Sequence, residues 1–314
     1  MSAKIVTSTE NLPYEDWLED RKQGIGGSDA AVACGINRYK SPVELWLEKT
    51  GQLPAQEAGE AAYWGTQLEP LVRAEFTRRT GIEVAHTMQL LQSAEHPFML
   101  ANLDGTCERP DFGPCVFEAK TASAYKAKEW DNSIPEEYLL QIQHYMAVTG
   151  YRGAYIAALI GGNTFRWKFV ERDEALIAVM IHLEAEFWGY VQEGTPPPLD
   201  GSEASARLLS EQFPSSVPQS QITLPDTATD LLRQYDAACE QLEVLEGKKR
   251  EAENLLKQML GANETGTARG RVITWKNVTQ ERLDSKTLKA EHPALYQKYA
   301  NKTSYRRFFI REAV

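Results

Sequence analysis

The order of helical and strand-like patterns over residues 1–195 constrains the fold more than any other feature of this chain. Three short stretches with strand character lie between residues 82 and 121, and helical patterns stand before and after them. Two more strand-like stretches, "GAYIAALIGG" and "TFRWKFVER", follow the next helix and are joined by a glycine-rich turn that predicts a hairpin. Groups of strands that alternate with helices build a sheet covered by helices. We therefore predict an α/β (α+β) fold whose mixed central sheet is flanked by helices.

Residues that begin and end helices refine this prediction. The stretch "GIGGSDAAV" places Ser28 or Asp29 after two glycines, where either side chain is a natural N-cap. Pro70 lies inside the longest helical pattern of this part, so we expect a kink or a break near Leu68. Gly81 follows that pattern and predicts its end, because glycine readily adopts the left-handed conformation of a helix C-terminus.

The composition is that of a soluble globular protein. Hydrophobic residues make up 42% and charged residues 25%, and no apolar stretch reaches the roughly 18 residues that a membrane-spanning helix needs. The N-terminal stretch lacks the apolar core of a signal peptide, so we expect a cytoplasmic protein. The four cysteines form neither a CxxC pair nor a cluster with zinc-ligand spacing, and we expect isolated thiols.

Proline and serine divide the chain into three regions. Residues 196–225 contain "PPPLDGSEAS" and "FPSSVPQS", a composition that is typical of linkers. We therefore predict a core domain over residues 1–195, a linker over 196–225 and a C-terminal extension over 226–314. In the extension we expect a long helix followed by two strands, "RVITWKNV" and "SYRRFFIRE", that form a small sheet.

The long helix, Asp226–Leu260, carries an apolar seam. Its apolar residues fall on alternating four- and three-residue spacing, which fits a coiled coil or one arm of a helical hairpin. Pairing with another chain and packing on its own chain both remain open. Only Lys249 interrupts the seam, whose apolar members are Leu231, Tyr235, Ala238, Leu242, Leu245, Ala252, Leu256 and Met259.

Charge is distributed unevenly along the chain. The net charge of −10 argues by itself against nucleic acid as a partner, but residues 266–314 carry eleven basic and four acidic side chains. Aromatic residues are interleaved with these basic residues, which is typical of DNA-contacting surfaces. Lys276, Arg306 and Arg307 are the candidates for such contacts. The alternative is a module for docking or for oligomer assembly.

Acidic and basic residues around position 118 form the most informative chemical pattern. Asp104 ends one strand-like stretch, while Glu118 and Lys120 stand two residues apart in the next. Residues two apart on a strand share a face, so these two side chains point the same way. Asp104, Glu118 and the backbone carbonyl of Ala119 could bind a hard cation such as Mg²⁺, and Lys120 could touch an attacking water or a phosphate. Such a set suits metal-assisted phosphodiester hydrolysis, whereas the alternative, an exposed ion pair, would contribute little.

Three further stretches contain polar residues that add to this pattern. "YWGTQLEP" places Glu69 on a helix ahead of the sheet, and "EEYLLQIQHYMAVTG" places Gln141 on the helix after it. "DWLEDRKQGIGGSDAAV" contains Trp17, Arg21 and Ser28. With the Asp…Glu-Ala-Lys pattern, these stretches resemble the PD-(D/E)XK nuclease superfamily and, within it, the YqaJ-type and lambda-type alkaline exonucleases of phage recombination.

The resemblance implies a role for each residue. Glu69, Asp104 and Glu118, together with the Ala119 carbonyl, would bind one or two Mg²⁺ ions, for which Mn²⁺ would substitute. Lys120 would position or deprotonate the attacking water.

Two further sets of residues complete the implied site. Gln141 would help to hold the lysine and the water. Arg21 and Ser28 would anchor the 5′-phosphate of a DNA end, and Trp17 would support that anchor or stack near the end.

The resemblance also implies an activity and partners. We expect a 5′-to-3′ exonuclease that acts on linear double-stranded DNA and leaves 3′ single-stranded overhangs for homologous recombination by single-strand annealing. The expected partners are duplex ends, a single-strand annealing protein and further copies of the chain in a trimeric ring, in the cytoplasm of a bacterial host. Two alternatives remain open: an endonuclease or resolvase on the same fold, and a catalytically inactive DNA-end binding protein.

Overall fold

The chain forms two compact units in the computed structural model, which describes residues 3–53, 59–301 and 303–311. The first unit comprises Met1–Phe213 and the second Pro214–Val314. Ten strands are described: β1 Lys4–Ser8, β2 Val84–Ala85, β3 Gln89–Gln92, β4 Leu100–Asn102, β5 Gly105–Arg109, β6 Gly113–Ala122, β7 Gly153–Ile160, β8 Thr164–Glu171, β9 Thr265–Ala268 and β10 Arg271–Thr274.

Helices occur in both units. Among the described residues, no helix is long and apolar enough to cross a membrane. A short 3₁₀ turn, Ala124–Lys126, follows β6, and the α-helices are α1 Tyr14–Lys22, α2 Gly27–Ala33, α3 Pro42–Lys49, α4 Glu60–Thr80, α5 Glu129–Asn132, α6 Glu136–Thr149, α7 Glu174–Glu193, α8 Glu203–Gln212, α9 Thr227–Leu260, α10 Ser285–Glu291 and α11 Pro293–Tyr299.

A mixed five-stranded sheet lies at the centre of the first unit, as predicted. Its order is β2-β5-β6-β7-β8, and only the β6–β7 pairing is parallel. The predicted β7–β8 hairpin is confirmed, and Gly161 and Gly162 adopt positive φ in its turn. A separate sheet of order β1-β3-β4 stands beside it, so the first strand-like stretches contribute to two sheets.

Helices cover the two faces of β6. Val72 and Phe76 of α4 pack with Phe117 on one face, and Ile142 of α6 packs with Val116 on the other. Burying an apolar side chain of this size contributes roughly 1.5–3 kcal/mol. The alternation along β6 therefore directs its even-numbered residues, including Glu118 and Lys120, towards the α6 side.

The helix ends agree with the sequence in part. Gly81 terminates α4 in the left-handed conformation, as predicted. Of the kink or break predicted near Leu68, the break does not occur, because α4 continues through Pro70. Pro70 has no N–H group, so the carbonyl of Thr66 loses its hydrogen-bond donor within the helix. Both residues are exposed, and water can therefore donate to this carbonyl instead.

The predicted N-cap of α2 is also wrong. The cap is Gly26, and the helix begins at Gly27. Asp29 stands at the third helical position, where its carboxylate accepts a hydrogen bond from the Gly26 N–H at 3.1 Å. An acid at this position satisfies a free amide of the helix start, so it stabilises the turn without being the cap.

The segment predicted as a linker, 196–225, contains helix α8. Ser202 caps this helix and Leu208 is buried in a cluster with Trp46 and Phe187. Serine contributed to the prediction of a linker, but Ser202 is in fact the N-cap of a helix. The first unit extends to Phe213 rather than to residue 195, so the linker is shorter at its N-terminal side.

The second unit contains the expected long helix, α9, of 34 residues. Strand β10 lies within the predicted "RVITWKNV" stretch and pairs with β9. The strand predicted at "SYRRFFIRE" is wrong, since residues 303–311 have no regular secondary structure. Its aromatic residues have strand propensity, but Tyr305 and Phe308 are largely exposed, and propensity alone does not form a strand without a neighbouring strand to pair with.

A buried ion pair fixes α6 within the first unit. The Nδ1 atom of His144 lies 2.8 Å from Oε1 of Glu184 on α7, and its Nε2 atom lies 2.9 Å from the Leu100 carbonyl. Both neighbours are acceptors, so both ring nitrogens carry protons. Burial opposes this charge, but Glu184 outweighs it and raises the pKa of His144.

Replacing Glu184 with glutamine should change how stability depends on pH. Because its pKa is raised on folding, charged His144 contributes stability that is fully present below its unfolded pKa of about 6.5 and is lost as pH rises through the folded value. Urea unfolding at pH 6 and pH 9 should show a large destabilisation of Glu184→Gln at pH 6 and a smaller one at pH 9. An equal difference at both values would contradict this account.

Candidate active site

One cavity of about 300 Å³ opens between α1, α2, α4, β6 and α6. It lies entirely within the first unit. Residues from distant parts of the chain meet there, including every position that the sequence predicted for this unit. Those positions are Trp17, Arg21, Ser28, Glu69, Asp104, Glu118, Ala119, Lys120 and Gln141.

Glu118 lines the cavity and is only 2% exposed. Its Oε1 atom accepts hydrogen bonds from Lys120 Nζ and from Gln141 Nε2, both at 2.6 Å. Its Oε2 atom is buried without a hydrogen-bond partner among the described residues. One oxygen of this carboxylate is therefore held by the protein, and the other remains available to a ligand.

Asp104 approaches β6 where the pairing with β5 ends. That pairing stops at Gly105 opposite Phe117, and the next outward-facing amide, Ala119 N–H, donates instead to Asp104 Oδ2 at 2.8 Å. The N–H and C=O of one strand residue point to the same edge. The carbonyl of Ala119 therefore faces the same edge of β6 as Asp104. A third oxygen ligand for a cation held by Asp104 and Glu118 would have to face this edge.

Glu69 reaches the cavity from α4, where Arg73 follows it by one helical turn. Arg73 lies 3.5 Å from the Glu69 carboxylate and donates to the Asp104 carbonyl at 2.8 Å. This arginine joins the helix to the loop that carries Asp104, and the sequence analysis did not identify it. Glu69 and Arg73 stand four residues apart, a spacing that indicates an ion pair on a helix. Such pairs are common on protein surfaces, so the spacing did not mark Arg73 as a site residue.

The three carboxylates lie in a desolvated and electrostatically coupled group. Burial, and then Asp104, raise the pKa of Glu118 to about 8 and that of Glu69 to about 7. Burial also raises the pKa of Asp104, against the opposing effect of Lys120. For Lys120, burial favours the neutral amine, but Glu118 and Asp104 outweigh it and raise its pKa. The raised pKa values show that ionising all three carboxylates together is unfavourable in this cavity, and a bound cation would favour the ionised forms.

The donor set fits a hard divalent cation. Among the residues that the structure describes, no group of three or more His, Cys, Asp or Glu side chains is placed so that it could hold a metal ion by itself. Mg²⁺ does not need one, because it binds through one or two carboxylates and keeps several waters. The free Oε2 of Glu118, the carboxylate of Asp104 and the Ala119 carbonyl provide oxygen ligands of the required kind.

Gln141 reaches Glu118 from α6. Its amide also donates to the Tyr145 hydroxyl at 3.1 Å, so it fixes the partner of Lys120. Gln143 points away and bonds to the backbone of Glu171 and Asp173. Only the first glutamine of the pair therefore belongs to the cavity.

Two other cavity residues were missed by the sequence analysis. Tyr145 lies one turn after Gln141, a spacing that places both on one face of α6. The Oδ1 atom of Asn102 is buried without a partner among the described residues. Asn102 stands two positions before Asp104, but asparagine is so common near turns that its position carried no distinct signal.

A second group of residues also lines the cavity. The guanidinium of Arg21 donates to Ser28 Oγ at 2.8 Å and lies 4.8 Å from the centre of the Trp17 ring. Trp17 thus supports Arg21 through a cation–π contact. Close packing makes this arrangement possible, since a Cβ at Gly27 would lie 2.4 Å from the Tyr145 ring.

The buried ion pair of Asp29 and Lys49 holds Arg21 in place. Asp29 accepts from Arg21 at 3.3 Å and from Lys49 at 2.7 Å, and Lys49 also donates to the Arg21 carbonyl at 2.7 Å. Burial opposes the ionised carboxylate, but Lys49 and Arg21 outweigh it and lower the pKa of Asp29. Burial lowers the pKa of Lys49. The pair therefore holds both the backbone and the side chain of Arg21.

Three candidates for DNA contact lie outside the cavity. Lys276, Arg306 and Arg307 belong to the second unit and are exposed. Lys276 lies 4.0 Å from Glu264.

Comparison with known proteins defines the family. The model of the YqaJ-like viral recombinase domain matches residues 16–152, which include every predicted position of the cavity. The uncharacterized protein YqaJ of Bacillus subtilis (strain 168) is 40% identical over 316 residues, which cover 99% of this chain and 98% of that protein. The chain belongs to the YqaJ family.

Solved structures resemble part of the chain. The alkaline exonuclease LHK-Exo from Laribacter hongkongensis has a TM-score of 0.46 and 21% identity, and the match covers 63% of this chain and 97% of that one. A phage-related exonuclease from Haemophilus somnus 129PT has a TM-score of 0.41 and 14% identity, with coverages of 60% and 96%.

Replacing Asp29 with asparagine should destabilise the first unit by roughly 3–5 kcal/mol, because Lys49 would remain buried without its partner. Urea unfolding measures the change. The double variant Asp29→Asn/Lys49→Met should recover part of the loss, since it removes the unpaired charge. Glu19→Gln, which breaks the exposed pair with Lys22, should cost less than about 1 kcal/mol. Equal losses for Asp29→Asn and Glu19→Gln would contradict the structural role of the buried pair.

Proposed function

We propose that this protein is a metal-dependent exonuclease that degrades the 5′-ended strand of linear double-stranded DNA. The observation that carries the proposal is the Glu118 carboxylate, which is held on one oxygen by Lys120 and Gln141 and keeps the other oxygen free beside Asp104. This arrangement joins a cation-binding edge to a positively charged side chain in one cavity. Membership of a viral recombinase family supports a role on DNA.

Mg²⁺ is the proposed cofactor, and Mn²⁺ should replace it. Glu69, Asp104, Glu118 and the Ala119 carbonyl would hold one or two ions. A divalent cation bound by these oxygens supplies Lewis-acid polarisation of the phosphate and makes a nearby water more acidic.

The protein's own groups perform the remaining tasks. Lys120, held by Glu118 at 2.6 Å, places positive charge beside the phosphate and orients the attacking water. Gln141 keeps Glu118 in the rotamer that both the lysine and the cation require. Because these groups are fixed before the substrate enters, little reorganisation is needed when the phosphorus is attacked.

We infer the direction of degradation from the second group of residues. Arg21 and Ser28 form a donor pair that suits the oxygens of a terminal phosphate, and guanidinium binds such oxygens bidentately. Both residues line the same cavity as Glu118, so an anchored 5′-phosphate places a nearby phosphodiester at the cation-binding edge. We therefore assign the 5′ end as the starting point and a 3′ single strand as the product.

The proposal extends to partners. We propose that three copies enclose the duplex in a ring and that a single-strand annealing protein receives the 3′ strand. The net charge of −10 is compatible with DNA binding, because screening over about 8 Å lets a basic channel act independently of an acidic exterior. Lys276, Arg306 and Arg307 would add contacts to the duplex backbone.

Glu118→Gln and Lys120→Ala should each reduce nucleotide release from linear duplex in Mg²⁺ by roughly 10²–10⁴-fold. Glu118→Gln removes the charge that would bind the cation and that pairs with Lys120, Lys120→Ala removes the positive charge beside the phosphate, and circular dichroism should show that both variants fold. Glu174→Gln, an exposed acid outside the cavity, is the matched control and should retain wild-type activity. Wild-type rates in either cavity variant would remove these residues from the mechanism.

The same assay separates an exonuclease from an endonuclease. Covalently closed plasmid has no ends, so the wild-type protein should leave it intact while it degrades the linear form. Nicking of the closed plasmid at a comparable rate would instead support an endonuclease on this fold.

Arg21→Ala should reduce the preference for 5′-phosphorylated over 5′-hydroxyl ends by about tenfold or more, because a charge-assisted hydrogen bond contributes about 1.5–3 kcal/mol. The ratio of initial rates on the two substrates measures the preference. Lys22→Ala, which removes a neighbouring charge of the same sign, should leave the ratio unchanged. An unchanged ratio in Arg21→Ala would exclude this arginine as the phosphate anchor.

A further inference from the structure

Helix α9 exposes an apolar face along its whole length. The structure describes all 34 of its residues, and Leu260 at its end is the only buried one. Leu242 and Leu245 at the middle are 58% and 60% exposed, and Met259 is 80% exposed. Most of the stability of a helix in a protein comes from packing of its apolar face. Because this face of α9 is exposed, we expect it to pack against a helix of another chain.

The seam repeats with the heptad period of a coiled coil. Tyr235, Leu242, Lys249 and Leu256 occupy one set of core positions, and each member lies seven positions after the previous one. Leu231, Ala238, Leu245, Ala252 and Met259 occupy the other set at the same interval. In an antiparallel pair of helices, members of the first set on one helix lie opposite members of the second set on its partner.

Two antiparallel copies of α9 give core layers in which two small residues never meet. In the register where Leu242 faces Leu245 of the second copy, Tyr235 faces Ala252 and Leu256 faces Leu231. The same register places Met259 opposite Ala228 and Lys249 opposite Ala238. Alternating large and small residues fill a core without voids. The small Ala238 also leaves room for the Lys249 ammonium to reach water.

A parallel pair in register would pack poorly. Lys249 would then face Lys249 of the second copy, and two like charges would meet in an apolar core. Ala238 and Ala252 would each face themselves, and both layers would contain voids. The side-chain sizes therefore favour the antiparallel orientation over the parallel one.

The charges along α9 are complementary in the same orientation. Residues 227–243 contain four acids and one arginine, whereas residues 244–260 contain four basic residues and three acids. Antiparallel pairing places the acidic half of one helix beside the basic half of the other. A parallel arrangement would place the two acidic halves together.

We propose that α9 forms an antiparallel helix pair with α9 of a second copy of this chain. The pair has a twofold axis between residues 243 and 244, so it joins chains in twos. Combined with the proposed ring of three, it generates assemblies of six chains. The pairing does not depend on the proposed nuclease activity, and without the ring it yields a dimer.

The mass of the full-length protein in solution tests the pairing. Multi-angle light scattering should show an even number of chains, and Leu242→Glu/Leu245→Glu should halve the mass, because these residues form the two central layers. Val244→Glu is the matched control, since Val244 is 57% exposed and lies off the seam between them. A wild-type mass of one or three chains, an unchanged mass in the double variant, or halving by Val244→Glu would each overturn the proposal.

Thiol cross-linking tests the orientation without disrupting the helix. In a Cys239→Ser background, the double variant Ala238→Cys/Lys249→Cys should form covalent dimers with a short thiol cross-linker, and each single cysteine variant should not. Dimers from Lys249→Cys alone would show parallel pairing, and the absence of dimers from the double variant would show that the helices do not pair. Either result would overturn the proposal. Loss of nuclease activity would not affect this readout, so the two proposals fail separately.

Discussion

The hydrogen bonds onto one oxygen of Glu118 are the interaction on which the rest of the site depends. A carboxylate that is 2% exposed is costly unless charged or polar groups compensate it, and Lys120 and Gln141 both donate to the same oxygen at 2.6 Å. Because both donors bind Oε1, the Oε2 atom of Glu118 has no hydrogen-bond partner among the described residues and lies beside Asp104. The cavity thus combines a stabilised acid with a free ligand oxygen, which a fully satisfied carboxylate could not provide.

The sheet creates this arrangement by ending one pairing early. Strand β5 leaves β6 at Phe117, and Asp104 takes the Ala119 amide that a longer strand would have used. Helix α4 brings Glu69 and Arg73 to the same edge, and α6 brings Gln141 over the face that carries Glu118. The site is therefore built on rigid elements, and its precision comes from the sheet and the two helices that cover it.

Much of this organisation is visible in the sequence, because it follows from short-range periodicity. The two-residue spacing of Glu118 and Lys120 correctly placed both on one face. Contacts between distant segments were not accessible in this way: no local pattern shows that Arg73 would reach the Asp104 carbonyl or that Asn102 would lie buried at the cavity. The strand predicted at "SYRRFFIRE" was wrong for the opposite reason: the strand propensity of these residues is strong, but a strand also needs a neighbouring strand to pair with, and residues 303–311 have no regular secondary structure. The 196–225 segment shows that serine-rich composition cannot distinguish a linker from a capped helix such as α8.

Anomalous diffraction from crystals soaked in Mn²⁺ shows whether this edge of the sheet binds a divalent cation. We expect an anomalous peak within bonding distance of Asp104 and Glu118, and no such peak at this position in crystals of Glu118→Gln. An anomalous peak elsewhere in the first unit, with none at these two carboxylates, would contradict the account.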